Sequence, residues 1–444
     1  MINSDFGRVY IMKKKIIKLF YRLPISYSKK MKILQFRRKI IGYKEVTDNI
    51  DIVDNNNIKD KYIEQVLNIP LMSESKETYV SLSPRSYIRK EDDPKIFAFY
   101  LTQYHPTKEN DEWWGKGTTE WTNVTRAVPQ YINHNQPRMP DELGYYDLRI
   151  KEVMERQIEL AKQYGIYGFC FYHYWFDGKR ILEKPLNMFL ENKDLNIPFF
   201  YCWANHSWYK KFQGTSDEIL IEMPKSQDVY ERYIDAVIED MKDKRYYKLN
   251  NRPLLMVYRP SDIPNPKEVL EIWRQKAKDS GFDDLYLIAV HESASNDDYR
   301  KIGFDASSEF QPTTFSILLS DVAANVECIN SSFSGTIYDY KKIVERKIYN
   351  MYKGPKMYKS AMLFWDNTAR KNSRSSIYAN ANPNLYEEWL KDLIIYNKNE
   401  KLDDNLIFIN AWNEWGEGAY LEPDKKYGYA LLEKTRDAIE KSRD

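Results

Sequence analysis

The 444-residue chain sets 67 Lys and Arg against 65 Asp and Glu, and a net charge of +2 points to no polyanionic partner for the chain as a whole. At 43% hydrophobic and 15% aromatic it can bury a large core, which excludes a disordered polypeptide. Cys170, Cys202 and Cys328 are too few and too scattered for a disulfide framework or a cysteine-based metal site, and suit a reducing compartment.

Residues 1–44 differ from everything that follows. Thirteen Lys or Arg, from Arg8 to Lys44, face a single acid, Asp5, and apolar residues such as Ile16, Ile17, Leu19, Phe20 and Leu23 recur among them at helical spacing. This pattern fits a basic amphipathic segment lying on an anionic membrane, or a helical extension whose charges are simply solvated. The apolar patch 16–25 is broken by Lys18 and Arg22 and has no small-residue cleavage site, a poor match to a signal peptide. No stretch approaches the ~20 apolar residues that span a bilayer. The expected location is therefore cytoplasmic, with membrane association through residues 1–44. Residues 45–93, polar and rich in Asn, Asp and Ser, read as a linker, giving an expected division into an extension, 1–93, and a regular domain, 94–444.

From residue 94, short apolar runs alternate with amphipathic stretches. The runs fall at 96–100, 168–172, 198–203, 254–258, 285–290, 306–310, 361–365 and 406–411, and helix-like segments at 149–164, 228–242, 266–280, 338–351 and 385–397. Runs of four to six apolar residues predict strands buried on both faces of a parallel sheet. Eight of them with intervening helices predict an α/β fold, a (β/α)8 TIM barrel. An open doubly wound sheet is the alternative, but QYHPTKEND follows the first run where that fold would carry a glycine-rich phosphate turn.

A barrel builds its site at the carboxyl ends of its strands. Taken in order, these ends hold Tyr100, Gln103, Tyr104 and His105, then His173, Tyr174 and Trp175, then Trp203, Asn205 and His206, then Arg259. The fifth gives His291 and Glu292, the sixth Glu309 and Gln311, and the seventh Asp366 and Asn367. Four of the five histidines are on this list, so a metal-dependent hydrolase using His105, His173, His206 and His291 is a competing reading. Against it, the tight ligand spacings of a metal site are absent, and no cofactor is expected.

The eighth strand end is the most informative. FINAWNEWGEGAYLEP (408–423) leaves an apolar run and sets Glu414 and Glu417 three residues apart among Trp412, Asn413 and Trp415, with no cation until Lys425. Solvated glutamates on a helix face are usually interspersed with lysine or arginine. Two carboxylates beside tryptophans are what glycosidic-bond chemistry requires: one acid, one base or nucleophile, and apolar faces for a sugar ring. Burial against tryptophan should raise at least one carboxyl pKa.

NEWGEGAYLEP (413–423), FYLTQYHPTKENDEWWGKGTTEWTNV (99–124) and GFCFYHYWFDGKRILEKPLN (168–187) together resemble the WbsX-type glycosyltransferase proteins, whose domain is similar to glycoside hydrolase family 99. The resemblance covers about residues 94–444. It implies a retaining enzyme of bacterial surface polysaccharides, with Glu414 acting as a base on the sugar 2-hydroxyl and Glu417 as acid, then base, and no metal. Gln103, His105, Trp121, His173, Tyr174, Trp203, Asn205, Glu309, Trp412 and Trp415, with Tyr100, are the expected substrate-binding residues. The expected partner is an oligo- or polysaccharide, with membrane contact through residues 1–44 and no nucleic acid, since the basic run is short and the barrel has no comparable patch. A glycan-binding barrel without turnover is the alternative from another class, and the intact glutamate pair argues against it. Hydrolysis and transfer share the same intermediate and remain two outcomes.

Overall fold

The computed structural model describes residues 55–72, 78–210, 218–291, 297–314, 316–351, 354–400 and 402–443, so the basic segment 1–44 and Glu292 lie outside the described residues. The chain divides into two compact units, Met1–Asn57 and Ile58–Asp444, and the second carries the fold. Among the described residues no helix is long and apolar enough to cross a membrane.

Nine parallel strands form the central sheet: β1 (Lys95–Tyr100), β2 (Gly168–His173), β3 (Phe199–Trp203), β4 (Arg252–Val257), β5 (Tyr286–His291), β6 (Ala306–Glu309), β7 (Met357–Tyr358), β8 (Ser360–Met362) and β9 (Leu406–Asn410). Their order is β7-β6-β5-β4-β3-β2-β1-β9-β8. The two ends of that order, β7 and β8, are joined in the chain by Lys359 alone. They act as one stave, pairing with β6 on one side and β9 on the other, and the sheet closes into a (β/α)8 barrel of eight staves. The seventh stave starts at Met357, four residues ahead of the apolar run that predicts it, because Lys359 and Ser360 interrupt the apolar pattern.

Helices α1 (Asn55–Met72), α2 (Lys108–Trp114), α3 (Glu120–Thr125), α4 (Lys151–Gln163), α5 (Lys184–Glu191), α6 (Gln227–Val237), α7 (Pro266–Asp279), α8 (Tyr340–Glu345), α9 (Thr368–Lys371), α10 (Pro383–Asn399) and α11 (Ala430–Lys441) make up the rest. The expected pattern is clearest in α4, which buries Met154, Gln157, Ile158, Leu160 and Ala161, and in α7, which buries Val269, Leu270, Trp273 and Ala277. Between β5 and β6 only a 3-10 turn, Tyr299–Ile302, is described. The polar segment 78–93 pairs with the barrel domain: Val80 N–H donates to Tyr427 O, and Arg85 bridges to Glu440 at 2.6 Å.

Strand parity sorts the aromatic residues. Phe97, Phe200, Phe408 and Tyr358 meet in the barrel interior, with ring centroids 4.9 Å apart for Phe97–Phe200 and 6.0 Å for both Phe200–Phe408 and Tyr358–Phe408. Gly168 admits this layer, since a Cβ there would sit 2.3 Å from the Phe97 ring and 2.4 Å from Pro198 O. Phe99, Tyr172, Tyr258 and Phe310 form the layer above. Residues of opposite parity, such as Tyr100 and Trp203, face the helices.

Candidate active site

Beyond β9 the chain folds into a small hairpin, Asn413–Glu414 against Ala419–Tyr420, closed by a 3-10 turn at Trp415–Glu417. The Asn413 side chain takes the place of a strand neighbour, accepting from Leu101 N–H at 2.8 Å and donating to Leu101 O at 3.0 Å. The Tyr104 hydroxyl donates to Asn413 O and accepts from Trp415 N–H. Glu422 lies beneath, accepting from Trp412 Nε1 (3.0 Å), Trp415 Nε1 (2.6 Å), Gln157 Nε2 (2.6 Å) and the Tyr146 hydroxyl (2.8 Å). Burial pushes its pKa up to about 7, against the pull of these donors. The motif's tryptophans thus anchor the hairpin through Glu422, and that anchorage fixes the direction in which Glu414 and Glu417 project.

Both glutamates meet Arg370, which enters from α9, and so does Glu120 from α3. Arg370 Nη2 donates to Glu414 Oε1 at 2.9 Å, Nη1 to Glu417 Oε1 at 2.9 Å, and Nε to Glu120 Oε1 at 2.7 Å. The close approach needs glycine at position 416, where a Cβ would fall 1.9 Å from Glu120 Oε1. One guanidinium therefore serves three carboxylates in a nearly dry setting. Burial raises the pKa of Glu414 to about 8, opposed by Arg370 and reinforced by the charges of Glu417 and Glu120. Glu417 is raised as well, first by burial. Arg370 is held well above its ordinary value by the three acids, despite its own burial. Near neutral pH the Glu414–Glu417 pair holds a proton, as an acid–base pair must. Its two carboxylates meet the two Nη atoms of one guanidinium.

These groups face a cavity of about 360 Å³, within the rough 300–1,000 Å³ range of small-ligand sites. Its floor is the interior aromatic layer of Phe99, Tyr172, Tyr258 and Phe310, and Trp114, Trp208 and Trp365 also line it. Aromatic faces below and carboxylates at one side suit a sugar ring with a scissile bond beside Glu414 and Glu417.

Of the expected site residues, Gln103, Tyr174, Glu414 and Glu417 line this cavity, and Gln103 Nε2 reaches Glu414 at 3.3 Å. The others lie outside its lining. Tyr100 donates to Gln157 of α4, and Trp203 stacks on Tyr233 of α6 at 3.8 Å, both on the outer face of the barrel. His173, also on that face, stacks on Tyr201 with Nδ1 3.1 Å from the Tyr233 hydroxyl. His105 is buried against Thr102 O, with its pKa lowered by burial to about 4. Asn205 bonds the backbone N–H and O of Arg259, joining the ends of β3 and β4. Trp121 donates to Tyr146 O and packs on Trp415, which stacks on Tyr420. Trp412 is tied to Glu422. Glu309 pairs with Lys359 inside the barrel wall. Of His105, His173, His206 and His291 only His206 lines the cavity, and no cluster of three or more His, Cys, Asp or Glu among the described residues is placed to hold a metal. Arg370 and Glu120, and the aromatic lining of Trp114, Tyr172, Trp208, Tyr258, Phe310 and Trp365, are cavity residues absent from the expected set.

A family model described as "Glycosyltransferase WbsX" matches residues 96–435. The curated "Uncharacterized protein WxcX" of Xanthomonas campestris pv. campestris (strain B100) is 39% identical over 350 residues, covering 79% of this chain and 50% of that protein. The chain thus spans about half the length of the curated relatives it matches. Among solved structures, a "Glycoside hydrolase-like protein" aligns over 82% of this chain and 98% of its own at 14% identity and a TM-score of 0.50, which shows a shared fold. A GH99 endo-alpha-mannosidase from Bacteroides thetaiotaomicron aligns over 80% of this chain and 100% of its own at 13% identity and a TM-score of 0.47.

Proposed function

The chain belongs to the WbsX glycosyltransferase family and is a carbohydrate-active enzyme, and from that premise we propose that it breaks or re-forms glycosidic bonds with retention of configuration, using Glu414 and Glu417. The observation that carries this reading is the Arg370 cluster: two carboxylates of raised proton affinity, 8% and 25% exposed, over an aromatic-floored cavity. In the proposed cycle Glu414 takes the proton of the sugar 2-hydroxyl, and that oxygen closes on the anomeric carbon. The leaving oxygen receives its proton from Glu417. Glu417 then deprotonates water or an acceptor hydroxyl, which attacks the anomeric carbon and breaks its bond to the 2-oxygen; Glu414 returns its proton to that oxygen, and the original configuration is restored. Burial raises both carboxyls, so the pair shares a proton, and this cycle needs it on Glu417. A hydrogen bond from the bound 2-hydroxyl favours the ionised form of Glu414 and places the proton there.

The test is to follow the first-formed product by NMR during turnover of a surface polysaccharide or its oligosaccharides. The expected first product keeps the anomeric configuration of the substrate, and an inverted one rejects the mechanism. The yield of transfer product against added acceptor separates transfer from hydrolysis. The dependence on pH is a second check. As pH rises through about 8 the pair loses its last proton, so kcat/KM should fall; in acid both carboxyls are protonated and it should fall again. A profile flat from pH 5 to 10 would exclude the pair as acid and base.

The substrate class, a bacterial surface polysaccharide, rests on the family resemblance. A role for residues 1–44 in holding the barrel at an anionic membrane rests instead on their thirteen cations against one acid.

A further inference from the structure

A second cavity, of about 1150 Å³, lies on the other side of the segment that follows β8. Phe364 and Asp366 line it, while their alternating neighbours Trp365 and Asn367 line the catalytic cavity, so one extended segment separates the two. Asp366 is also tied to the catalytic hairpin, its N–H donating to Glu417 O at 2.7 Å.

The lining holds five cations, Lys61, Arg138, Lys341, Lys342 and Lys426, against Glu327, Asp339 and Asp366. Lys61 is paired with Glu327 at 2.9 Å, Lys342 with Asp339 at 3.6 Å, and Lys341 with Glu345 at 3.6 Å. Arg138 pairs with Asp366 at 3.7 Å and lies over the Phe364 and Tyr420 rings, but its donors are only partly satisfied. Its side chain is only 10% exposed, its hydrogen bond to the Tyr420 hydroxyl is long at 3.3 Å, and its Nε has no partner among the described residues. The nearest carboxylate, Asp366, is 3.7 Å away and already accepts from His134 Nε2, Gln136 Nε2 and Thr368. Lys426 forms no ion pair among the described residues, and its ammonium sits 5.0 Å from the Tyr427 ring centroid. Burial and the neighbouring Arg138 lower its pKa. Tyr378, 4% exposed, has a buried hydroxyl with no partner. Buried donors are rarely left unsatisfied, and here a guanidinium and a phenol share one cavity wall with an unpaired ammonium.

The rest of the wall is of the kind that holds sugars. Tyr131, Tyr378 and Tyr427 contribute aromatic surface, and the amides of Asn133 and Asn135 suit hydroxyl groups. We infer that this cavity binds an acidic sugar unit, bearing a carboxylate or a phosphate, of the same glycan that the catalytic cavity receives. This inference rests on the glycan reading above. The acidic group lies between Arg138 and Lys426 and accepts from the Tyr378 hydroxyl, while the sugar hydroxyls meet the asparagines.

Isothermal titration of the full chain with glucuronate, glucose 1-phosphate, inorganic phosphate and glucose tests it. Saturable binding of glucuronate or glucose 1-phosphate is expected, with glucose and inorganic phosphate weaker. Arg138→Gln and Lys426→Gln should each weaken the acidic sugar by about tenfold or more, the scale of a lost charge-assisted hydrogen bond. Glu414→Gln should leave that affinity unchanged. Failure of both acidic sugars to bind, or equal affinity in the Arg138 and Lys426 variants, overturns the inference. Loss of binding in Glu414→Gln also overturns it, because the ligand is then in the catalytic cavity. Inorganic phosphate binding as tightly as glucose 1-phosphate removes the sugar from the proposal. Should Arg138→Gln melt far below the wild type, Lys426→Gln, at a half-buried position, decides. The NMR assay of turnover is independent of this titration, so failure of the catalytic reading and of this site are read separately.

Discussion

Glu414→Gln and Glu417→Gln should each lower turnover by about 10²-fold or more while leaving the barrel folded, because each removes one proton-transfer group and keeps its shape. The two variants should differ in how they respond to an activated leaving group. An aryl glycoside whose leaving oxygen needs no proton should restore part of the rate to Glu417→Gln and none to Glu414→Gln, if Glu417 is the acid. Rescue of Glu414→Gln alone would exchange the two roles. The same substitution should reveal the cost of assembling the site. Folded Glu414 keeps its proton up to about pH 8, whereas a free glutamate releases it near ~4.3. Between these values the unfolded state binds fewer protons, and native stability declines as pH rises. Relative to the wild type, Glu414→Gln should gain melting temperature at pH 8 and little at pH 4. Equal differences at the two pH values would show that the burial of Glu414 does not govern its charge.

Lys359→Met should destabilise the barrel by about 3–5 kcal/mol, the usual cost of leaving a buried charge without its partner. Lys359 Nζ lies 2.5 Å from Glu309 Oε1, both side chains are fully buried, and Glu309 Oε2 accepts from Ser360 N–H at 3.2 Å. The pair spans the junction of β7 and β8, where the sheet closes onto itself. The double variant Lys359→Met/Glu309→Leu should recover much of the loss, since apolar replacement of a buried ion pair is often nearly neutral. Urea denaturation measures both. A single variant within ~0.5 kcal/mol of the wild type would fall in the range of an ordinary surface change and would rule out a structural role for the pair.

The barrel was legible because its strands are buried on both faces and appear as unbroken apolar runs. The one misplaced start, at the seventh stave, follows from Lys359: a buried ion pair looks polar in sequence whatever its surroundings. Strand ends were also legible, but parity was not. In an unbroken apolar run nothing in the sequence says which alternate residues face inward, so Tyr172 and Tyr174 reach the cavity while His173 between them stacks against the outer face. Trp203 and Tyr100 fall outside for the same reason. On α3 the difference is one of helical rotation, with Glu120 toward Arg370 and its neighbour Trp121 toward Tyr104. Arg370 had no local signature, being one cation among many in a polar connection. The only clue was a demand elsewhere, since the acids of a dry site require a counter-charge.

The balance of charge around Arg370 has a practical side. Arg370 and Lys371 face three acids across the catalytic cavity, and while Glu414 and Glu417 share a proton the charges balance. Loss of that proton above about pH 8 leaves one acid unmatched. A small protonated amine of sugar-like size should then compete with substrate more strongly in alkaline solution than at neutral pH. Assays at pH 8 and above therefore belong in buffers that carry no ammonium group.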